Sequence, residues 1–368
     1  MNKTVSTTEF EPYMGEPDVA RFIRAMKRQE VDRVPNFEAL IEDTIVEKIL
    51  GRFAGNTLSY GGEPAKGVQD PEITEPMKSK DYLELCKIIG QDVMIIDAVW
   101  VPFRKEDENG NLVMLADKSV KNISDFKKVE KPGQKDIDLI VKRLMEYREA
   151  VKGTKIGVTV LHGGLFTRNY EFTVGMNDFM IACYRDKLFI EGILEAHTEY
   201  LVKLVKAIIK EGIDIDFPYD DIGLDTGMFI PYKLMKEIWV PRMARIIKPA
   251  VEAKIPVIWH SDGKIDEVIE DLIEMGVDCI NPMDPYSMDY RELKKKYGKR
   301  VAFSGNIDIE FPLYKGTPED VENDVKAHMD VMKPGYGYVC GSSHSIVDYI
   351  PYENFVTMIN AIHKYGKY

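Results

Sequence analysis

Short runs of β-branched and apolar residues recur along the chain, and each is followed by a longer stretch with the period of an amphipathic helix. The short runs predict eight strands: Arg33–Phe37, Val93–Ile96, Lys155–Val160, Ile213–Phe217, Ile255–Trp259, Val277–Asn281, Arg300–Ser304 and Tyr336–Val339. The intervening stretches predict helices, among them Asp81–Ile89, Ile137–Val151, Tyr232–Ala253, Ile265–Met275 and Pro318–Met332. The pattern is therefore a regular alternation of strand and helix.

Eight strands that alternate with helices form either a closed parallel barrel or an open doubly wound sheet. An open sheet usually carries a glycine-rich phosphate-binding turn after its first strand, whereas here the first predicted strand leads into Glu38 and Ala39. We therefore predict an α/β fold of the (β/α)8 TIM-barrel type, with residues 21–368 as a single domain and residues 1–20 as an N-terminal extension. Arg104–Val113, which contains an Asn-Gly turn, is predicted to form a hairpin excursion over the barrel mouth.

Composition narrows the function classes without changing the fold. The net charge of -12 argues against a nucleic-acid partner, because such a partner needs a basic surface. No apolar run reaches the roughly 18 residues of a membrane span, and the N-terminus lacks the apolar core of a signal peptide. The four cysteines form no CxxC pair, which favours a cytoplasmic protein without disulfides.

Polar residues directly after the predicted strands give the candidate site, because barrel enzymes have their active sites at the carboxyl ends of the strands. These positions hold Glu38, Asp97, His162, Asp220, Asp221, His260, Asp262, Asp284, Asn306, Asp308, Cys340 and His344. Loops are generally polar, so a single one of these residues carries little weight. Three of the six histidines lie at strand ends, however, and this concentration favours a functional site at the barrel mouth.

Two of these positions suggest a metal ion. A neutral imidazole at His260 can bind a metal or move a proton, although a histidine hydrogen-bonded to the barrel rim is the plainer alternative. Cys340 could supply a thiolate to a shared zinc ion, or it could be a small buried apolar residue. The adjacent carboxylates Asp220 and Asp221 could divide acid and base roles, cap the next helix or bind substrate hydroxyls.

Several segments carry a family resemblance: RFIRAMKRQEVDRVPNF, DTGMFIPYKLMKEIWVPRMARII, WHSDGKIDEVIEDLIEMGVDCINPMDP, YGKRVAFSGNIDI, GYGYVCGSSHSI and IPYEN. Together they resemble the uroporphyrinogen decarboxylase superfamily over nearly the whole chain, most strongly in its second half. The resemblance implies a (β/α)8 barrel, which agrees with the strand pattern.

The superfamily contains two main chemistries. Its true decarboxylases have an arginine-rich segment after the first strand, which binds the substrate carboxylates, whereas the segment here reads NFEALIED. A polyanionic porphyrinogen would meet like charge there. Its coenzyme M methyltransferases bind zinc through a His-x-Cys pair and a later Cys. His260 and Cys340 match that pattern, but Asp262 replaces the first Cys, and a carboxylate is less suited than a thiolate to thiol activation.

The resemblance therefore predicts a methyltransferase of the methoxyaromatic O-demethylase kind, which transfers a methyl group to the cob(I)alamin of a separate corrinoid carrier protein. The chain itself has no DxHxxG corrinoid-binding signature. The alternatives are a decarboxylase, a coenzyme M methyltransferase, or a corrinoid- or tetrapyrrole-binding protein without turnover. Whether the barrel forms a homodimer stays open.

The roles implied for individual residues fall into three groups. The predicted zinc ligands are His260 and Cys340, with Asp262 or Asp284 as the third ligand. The predicted catalytic residues are Asp221, Glu38 and His162. The predicted substrate-binding residues are Asp97, Tyr219, Phe166 and His344.

Overall fold

The computed structural model describes residues 11–55, 77–98, 103–107, 110 and 112–368. Its centre is a parallel sheet of seven strands in the order β1-β4-β5-β8-β9-β10-β11, numbered along the chain. These strands are β1 (Val93–Asp97), β4 (Gly157–Gly163), β5 (Ile215–Tyr219), β8 (Ile258–His260), β9 (Cys279–Asn281), β10 (Ala302–Ser304) and β11 (Tyr338–Val339).

The segment predicted as the first strand closes this sheet into a barrel. Asn36 forms parallel bridges with Gln91, next to β1, and with Cys340, next to β11. The backbone N–H of Phe37 donates to the Cys340 carbonyl at 2.9 Å, and the N–H of Cys340 donates to the Pro35 carbonyl at 2.8 Å. This segment therefore takes the eighth place in the sheet, and the predicted α/β barrel is confirmed.

Helices surround the sheet: α1 (Val19–Met26), α2 (Asp43–Leu50), α3 (Ser79–Ile89), α4 (Ile123–Phe126), α5 (Gln134–Ala150), α6 (Met176–Arg185), α7 (Lys187–Lys210), α8 (Tyr232–Ile238), α9 (Val240–Glu252), α10 (Ile269–Met275), α11 (Tyr290–Tyr297), α12 (Pro318–Met332) and α13 (Tyr352–Tyr365). The helix predicted over Tyr232–Ala253 is interrupted at Trp239, because Pro241 has no N–H to continue the helical ladder. None of the described helices is both long and apolar enough to cross a bilayer.

Two short antiparallel pairs leave the barrel between its strands. The predicted hairpin is present as β2 (Arg104–Glu106) paired with β3 (Leu112–Met114), while Asn109 of its turn lies outside the described residues. A second pair, β6 (Gly223–Leu224) with β7 (Gly227–Met228), follows β5.

The amino-terminal end of the barrel is closed by α1. The backbone N–H of Asp18 donates to Asp92 Oδ1 at 2.8 Å, and that of Val19 donates to the Lys155 carbonyl at 2.8 Å, just before β1 and β4. Arg21 reaches the same buried Asp92 at 2.8 Å. Within the predicted N-terminal extension, residues 1–10 lie outside the described part, and residues 11–18 lead into this helix.

Strand side chains alternate between two hydrophobic clusters, because successive residues of a strand point to opposite faces. The barrel interior holds Phe22, Ala25, Met26, Val31, Phe37, Val93, Ile95, Ile215, Phe217, Ile258, Cys279, Ala302 and Val339. The layer between sheet and helices holds Met94, Ile96, Val158, Val160, Trp259, Ile280, Phe303, Tyr338 and Cys340 among others. This alternation decides which strand-end side chains can reach the mouth.

Candidate active site

Three side chains at the carboxyl ends of β5 and β8 converge on one point. Among the described residues, ligand atoms of Asp221, His260 and Asp262 lie within 4.8 Å of one another. His260 Nε2 is 3.9 Å from Asp221 Oδ1 and 3.8 Å from Asp262 Oδ1. These separations are too long for hydrogen bonds, and they are compatible with atoms that bind one ion at about 2.0–2.2 Å each. All three side chains are partly exposed, so an ion can enter.

The orientation of His260 leaves one ring nitrogen available. Its Nδ1 lies 2.7 Å from Asn281 Oδ1, while Asn281 Nδ2 donates to Ser304 Oγ at 3.0 Å. With the amide oxygen of Asn281 facing the ring, Nδ1 carries the proton and donates it. The lone pair of Nε2 therefore faces the two carboxylates, as in metal-binding histidines whose other nitrogen is held by a hydrogen bond.

The two carboxylates are held by the loops that carry them. The N–H of Asp262 donates to Asp221 Oδ1 at 3.0 Å, and the N–H of Asp221 donates to Thr167 Oγ1 at 2.7 Å. Burial and the charge of Asp221 raise the pKa of Asp262, and His260 and His344 oppose that shift. His344 Nε2 lies 3.5 Å from Asp262 Oδ2, which places this predicted substrate-binding residue beside the group.

Asp220, directly before Asp221, is a structural residue. Its carboxylate accepts hydrogen bonds from the N–H groups of Phe166 and Thr167, both at 2.9 Å, from Thr167 Oγ1 at 2.9 Å and from Trp239 Nε1 at 2.7 Å. Burial raises the pKa of Asp220 to about 7, and these donors act in the opposite direction. Asp220 therefore anchors the backbone after β4 and the Trp239 indole rather than the next helix, and Asp221 alone of the pair is open to a ligand.

Tyr219 lies beside His260 at the mouth. The two residues are paired in register between β5 and β8, and their ring centroids are 6.5 Å apart. The Tyr219 hydroxyl accepts a hydrogen bond from Arg168 Nε, and Arg168 Nη1 lies 3.0 Å from a Glu171 carboxylate oxygen. Arg168 was not predicted from the sequence. The signal that could have indicated it is the Gly163–Gly164 pair that ends β4.

Cys340 does not join this group. Val339 points into the barrel interior, so Cys340 points outward and is fully buried beneath the helices. The Tyr338 hydroxyl lies 3.3 Å from its sulfur, and burial raises the pKa of the thiol far above its ordinary range. Zinc binds the thiolate, which this environment disfavours. The sequence predicts that His260 and Cys340 bind one ion together. The structure does not place these two side chains around one ion.

His162 and Phe166 also lie in the layer beneath the helices. Strand β4 runs to Gly163 rather than ending at Val160, so His162 lies within the strand on its outward face. His162 Nε2 is 2.9 Å from Asp216 Oδ1, and both side chains are fully buried. The Phe166 ring packs edge-on against Phe179 with centroids 5.2 Å apart. Neither side chain is brought to the mouth, because His162 lies on the outward face of β4 and Phe166 is fully buried against Phe179.

Glu38 joins the closing segment of the barrel to the loop after β11. Its Oε1 accepts a hydrogen bond from the Ser342 N–H at 3.0 Å, and its Oε2 contacts Ser342 Oγ, which also contacts the His344 carbonyl. A hydroxyl has one proton and a carbonyl can only accept. Ser342 therefore donates to the carbonyl, and Glu38 supplies the proton of the remaining contact. Burial raises the pKa of Glu38 to about 8, in agreement with a neutral carboxyl group.

The predicted acids Asp284 and Asp97 also differ from Asp221 and Asp262, whose carboxylates are open to a ligand. Asp284 accepts from the Gly263 N–H at 3.0 Å and from the Tyr286 N–H at 2.8 Å, so it shapes the loops beside Asp262 and is not part of the converging group. Asp97 is almost fully buried at the end of β1 and lines a small cavity together with Ile41 and Tyr82.

Comparison with known proteins identifies the family. Residues 107–365 match the model of the family described as uroporphyrinogen decarboxylase (URO-D). The chain belongs to the URO-D family. It is 22% identical to the uroporphyrinogen decarboxylase of Pseudoalteromonas translucida over 96% of this chain and 99% of that protein. It is 34% identical to the uroporphyrinogen decarboxylase of Methylobacillus flagellatus over 40% of this chain and 37% of that protein.

Solved structures agree with the barrel fold of this URO-D family member. A methyltransferase from Methanosarcina mazei has a TM-score of 0.66 at 16% identity, covering 94% of this chain and 97% of that chain. A B12-independent methionine synthase from Shewanella sp. W3-18-1, in complex with selenomethionine, has a TM-score of 0.54 at 12% identity, covering 91% and 96%. At these identities the likeness establishes the fold, and the function has to be argued from the site.

Proposed function

We propose that this URO-D family member is a methyltransferase that transfers a methyl group from a methoxylated, aromatic compound to the cob(I)alamin of a separate corrinoid protein. The observation that carries the proposal is the convergence of Asp221, His260 and Asp262 at the barrel mouth, with the free Nε2 of His260 facing two carboxylates. The proposal is also supported by the Methanosarcina methyltransferase, whose barrel fold is similar to that of this chain.

The donor set fits a catalytic zinc site. One imidazole nitrogen and two carboxylate oxygens are all zinc ligands, and three protein ligands leave a further position open to substrate. Asn281 supplies the outer hydrogen bond that such a histidine needs. The carboxylates make the site harder than a thiolate site, which favours an oxygen ligand over a thiol. When bound, zinc would supply Lewis acidity toward the ether oxygen of the substrate.

In the proposed reaction the bond between the methyl carbon and the ether oxygen breaks, and the methyl carbon bonds to the cobalt of the carrier. The electron pair of the broken bond stays on the oxygen. A phenolate is a feasible leaving group because its conjugate acid has a pKa of about 10, whereas a simple alkoxide is much poorer. The protein's part is to hold the ether in line, and Tyr219 and His344 lie beside the triad where they can contact the substrate.

The alternative is decarboxylation of a polycarboxylate, favoured by the curated relatives named as uroporphyrinogen decarboxylases. The charges of this chain argue against it. Residues 36–43 contain no arginine, and the neutral, buried Glu38 together with the acids Glu42 and Asp43 stands where the resemblance puts a basic clamp. Asp221, Asp262 and Asp284 add more negative charge nearby, so a polyanionic substrate would be repelled.

The test uses the purified protein supplied with zinc, 2-methoxyphenol and a cob(I)alamin carrier, and it monitors the cobalt spectrum. We expect about one zinc per chain and methylation of the cobalt, both lost in Asp262→Ala. The matched control is Asp266→Ala, which removes an exposed carboxylate from the short 3-10 helix after the Asp262 loop and should change neither. The proposal is wrong if no methoxylated aromatic, methylamine or methanol methylates the cobalt while uroporphyrinogen loses carbon dioxide. Decarboxylation then replaces methyl transfer as the proposed function.

A further inference from the structure

The Tyr219 side chain is almost fully buried at the carboxyl end of β5. Ile215 and Phe217 of β5 point inward, so Tyr219 points to the same face. It is the cross-strand neighbour of His260, with ring centroids 6.5 Å apart. Its phenol therefore lies on the same side of the sheet as the imidazole of the triad.

Two consecutive glycines make room for Tyr219, Gly164 beside its phenol and Gly163 beside its backbone. A Cβ at Gly164 would lie 2.4 Å from the Tyr219 hydroxyl oxygen and 2.6 Å from Arg168 Cγ, and Gly164 has a φ of +74°. A Cβ at Gly163 would lie 2.2 Å from the Tyr219 carbonyl oxygen. Both separations are well below van der Waals contact, so only glycine lets the hydroxyl and the arginine side chain occupy this place.

Arg168 is fixed by contacts on several sides. Its Nε donates to the Tyr219 hydroxyl, its Nη1 is paired with Glu171, and its guanidinium lies 5.2 Å from the Phe172 ring centroid. Arginine has donors only, so the tyrosine oxygen is the acceptor in their contact. The hydroxyl proton of Tyr219 therefore points away from Arg168, where it can be donated to a second acceptor.

We propose that Tyr219 and Arg168 form a binding site for the departing oxygen of the substrate, beside the Asp221–His260–Asp262 group. This inference rests on the proposed methyl transfer and assigns the group that receives the developing negative charge. Tyr219 donates a hydrogen bond to the phenolic oxygen, and Arg168 is a positioning residue that holds the tyrosine hydroxyl. The electron pair of the broken C–O bond stays on the phenolic oxygen, Tyr219 keeps its proton, and Arg168 keeps its charge.

Such a pair resembles the preorganised donors that stabilise charge as it develops in a transition state. The pair also predicts that phenols and phenolates bind to the protein. This binding can be measured without any methyl transfer. Because the arginine polarises the hydroxyl toward the ligand, both residues should matter for affinity, although only Tyr219 touches the ligand.

The first experiment measures binding of 4-nitrophenol to the zinc-loaded protein through the change in its absorption spectrum. Tyr219→Phe should weaken binding about 10- to 100-fold, the loss expected for a hydrogen bond to a charged oxygen. Arg168→Met should weaken it by a smaller factor, and Arg168→Lys should recover part of that loss. Tyr232→Phe and Arg245→Met are the matched controls, because they remove a hydroxyl contact to Asp271 and a bidentate pair with Glu195 on outer helices.

The second experiment compares turnover of ring-substituted methoxybenzenes that differ in the acidity of the phenol released. Tyr219→Phe should lower kcat most for the poorest leaving group and leave KM less affected, which a merely structural defect would not do. Melting temperatures of the variants check their folding.

The outcomes separate this inference from the proposed function. If the wild-type protein binds 4-nitrophenol through Tyr219 but methylates no cobalt, the oxygen site stands and the methyl-transfer proposal fails. If methyl transfer proceeds while Tyr219→Phe and Arg168→Met bind and react like the wild type, the oxygen site is wrong. Absence of any 4-nitrophenol binding by the wild type overturns it as well.

Discussion

Asp220 and Asp221 are neighbours in the chain, yet they lie in different environments at the end of β5. Asp220 is fully buried and its carboxylate accepts hydrogen bonds from two backbone N–H groups, a threonine hydroxyl and an indole. Asp221 is partly exposed and faces the ring of His260 across 3.9 Å. The same functional group thus holds the fold together at one position and is open to a ligand at the next.

The same division runs around the whole mouth. Glu38 is hydrogen-bonded to Ser342 as a neutral acid, and Asp284 accepts hydrogen bonds from two backbone N–H groups. The carboxylate of Asp262 instead faces His260. Each internal donor occupies one of the roughly four acceptor sites of a carboxylate, so an acid with more internal donors has fewer lone pairs left for a ligand. The number of internal donors, rather than residue type or position after a strand, therefore separates structural acids from candidate ligands.

The largest expected effect comes from removing each carboxylate of the adjacent pair in turn. Asp220→Ala leaves four buried donors without an acceptor, so we expect the free energy of unfolding to fall by at least about 3 kcal/mol. Asp221→Ala removes a partly exposed side chain and should cost less than about 1 kcal/mol, but it should lower zinc affinity more than about 100-fold. Urea unfolding and competitive zinc titration of both variants measure the two effects.

Equal destabilisation by the two substitutions, together with unchanged zinc affinity in Asp221→Ala, would contradict this division. Asp221→Asn serves as a second variant, because it keeps the volume and one oxygen while removing the charge that a cation needs.

The sequence was sufficient to predict the barrel. Strand-helix alternation is a local pattern, and the eight predicted strands fall on the seven observed strands and the closing segment around Asn36. It also predicted that His260 lies at the end of a strand, because the apolar run before it ends at the mouth. The family resemblance pointed to the same residue and agreed with the family match.

The sequence could not determine which face of a strand each end residue occupies. An error of two or three residues in the end of β4 moves His162 from the loop into the strand, where it lies under the helices. Cys340 follows the inward-pointing Val339 and therefore points outward. The donors around Asp220 come from residues 166, 167 and 239, so only the tertiary structure shows that this acid is already paired.

The pH dependence of stability tests the contrast between the neutral Glu38 and the open acids of the mouth. Its folded-state pKa of about 8 exceeds the ordinary value of 4.5, so between these values the folded protein binds more protons than the unfolded chain. Stability contributed by this group is therefore present at low pH and is lost as the pH rises, by up to about 1.4 kcal/mol per pH unit. In Glu38→Gln the amide can donate to Ser342 in place of the acid, so this slope should flatten.

Urea unfolding of both proteins from pH 5 to pH 8 gives the two slopes. Glu42→Gln is the matched control, because this acid is only partly buried and should alter the slope less. Parallel slopes for wild type and Glu38→Gln would mean that Glu38 is ionised in the folded protein, like the open acids.

A smaller effect is expected at Asn281, which contacts the triad only through His260. Asn281→Ala removes the acceptor 2.7 Å from His260 Nδ1, so the ring loses its fixed orientation, and zinc affinity should fall about 10- to 100-fold. Ser304→Ala removes only the partner of the amide nitrogen and should have a weaker effect in the same direction. Zinc titration of the two variants should give this order, and an unchanged affinity in Asn281→Ala would show that the Asn281 contact does not hold the ring for metal binding.

The smallest effect on the site is expected at Cys340. Its sulfur is buried under the helices beside Tyr338, so Cys340→Ala should cost about 1–2 kcal/mol of stability through the small cavity and leave zinc affinity within about twofold of the wild type. Zinc titration and urea unfolding of the same preparation provide both values. Loss of zinc in Cys340→Ala with zinc retained in Asp221→Ala would reverse the comparison, because the thiol would then be the ligand and the open carboxylate would not. The experiment is decisive despite its small expected effect, since the two interpretations of the mouth predict opposite metal contents for the same pair of variants.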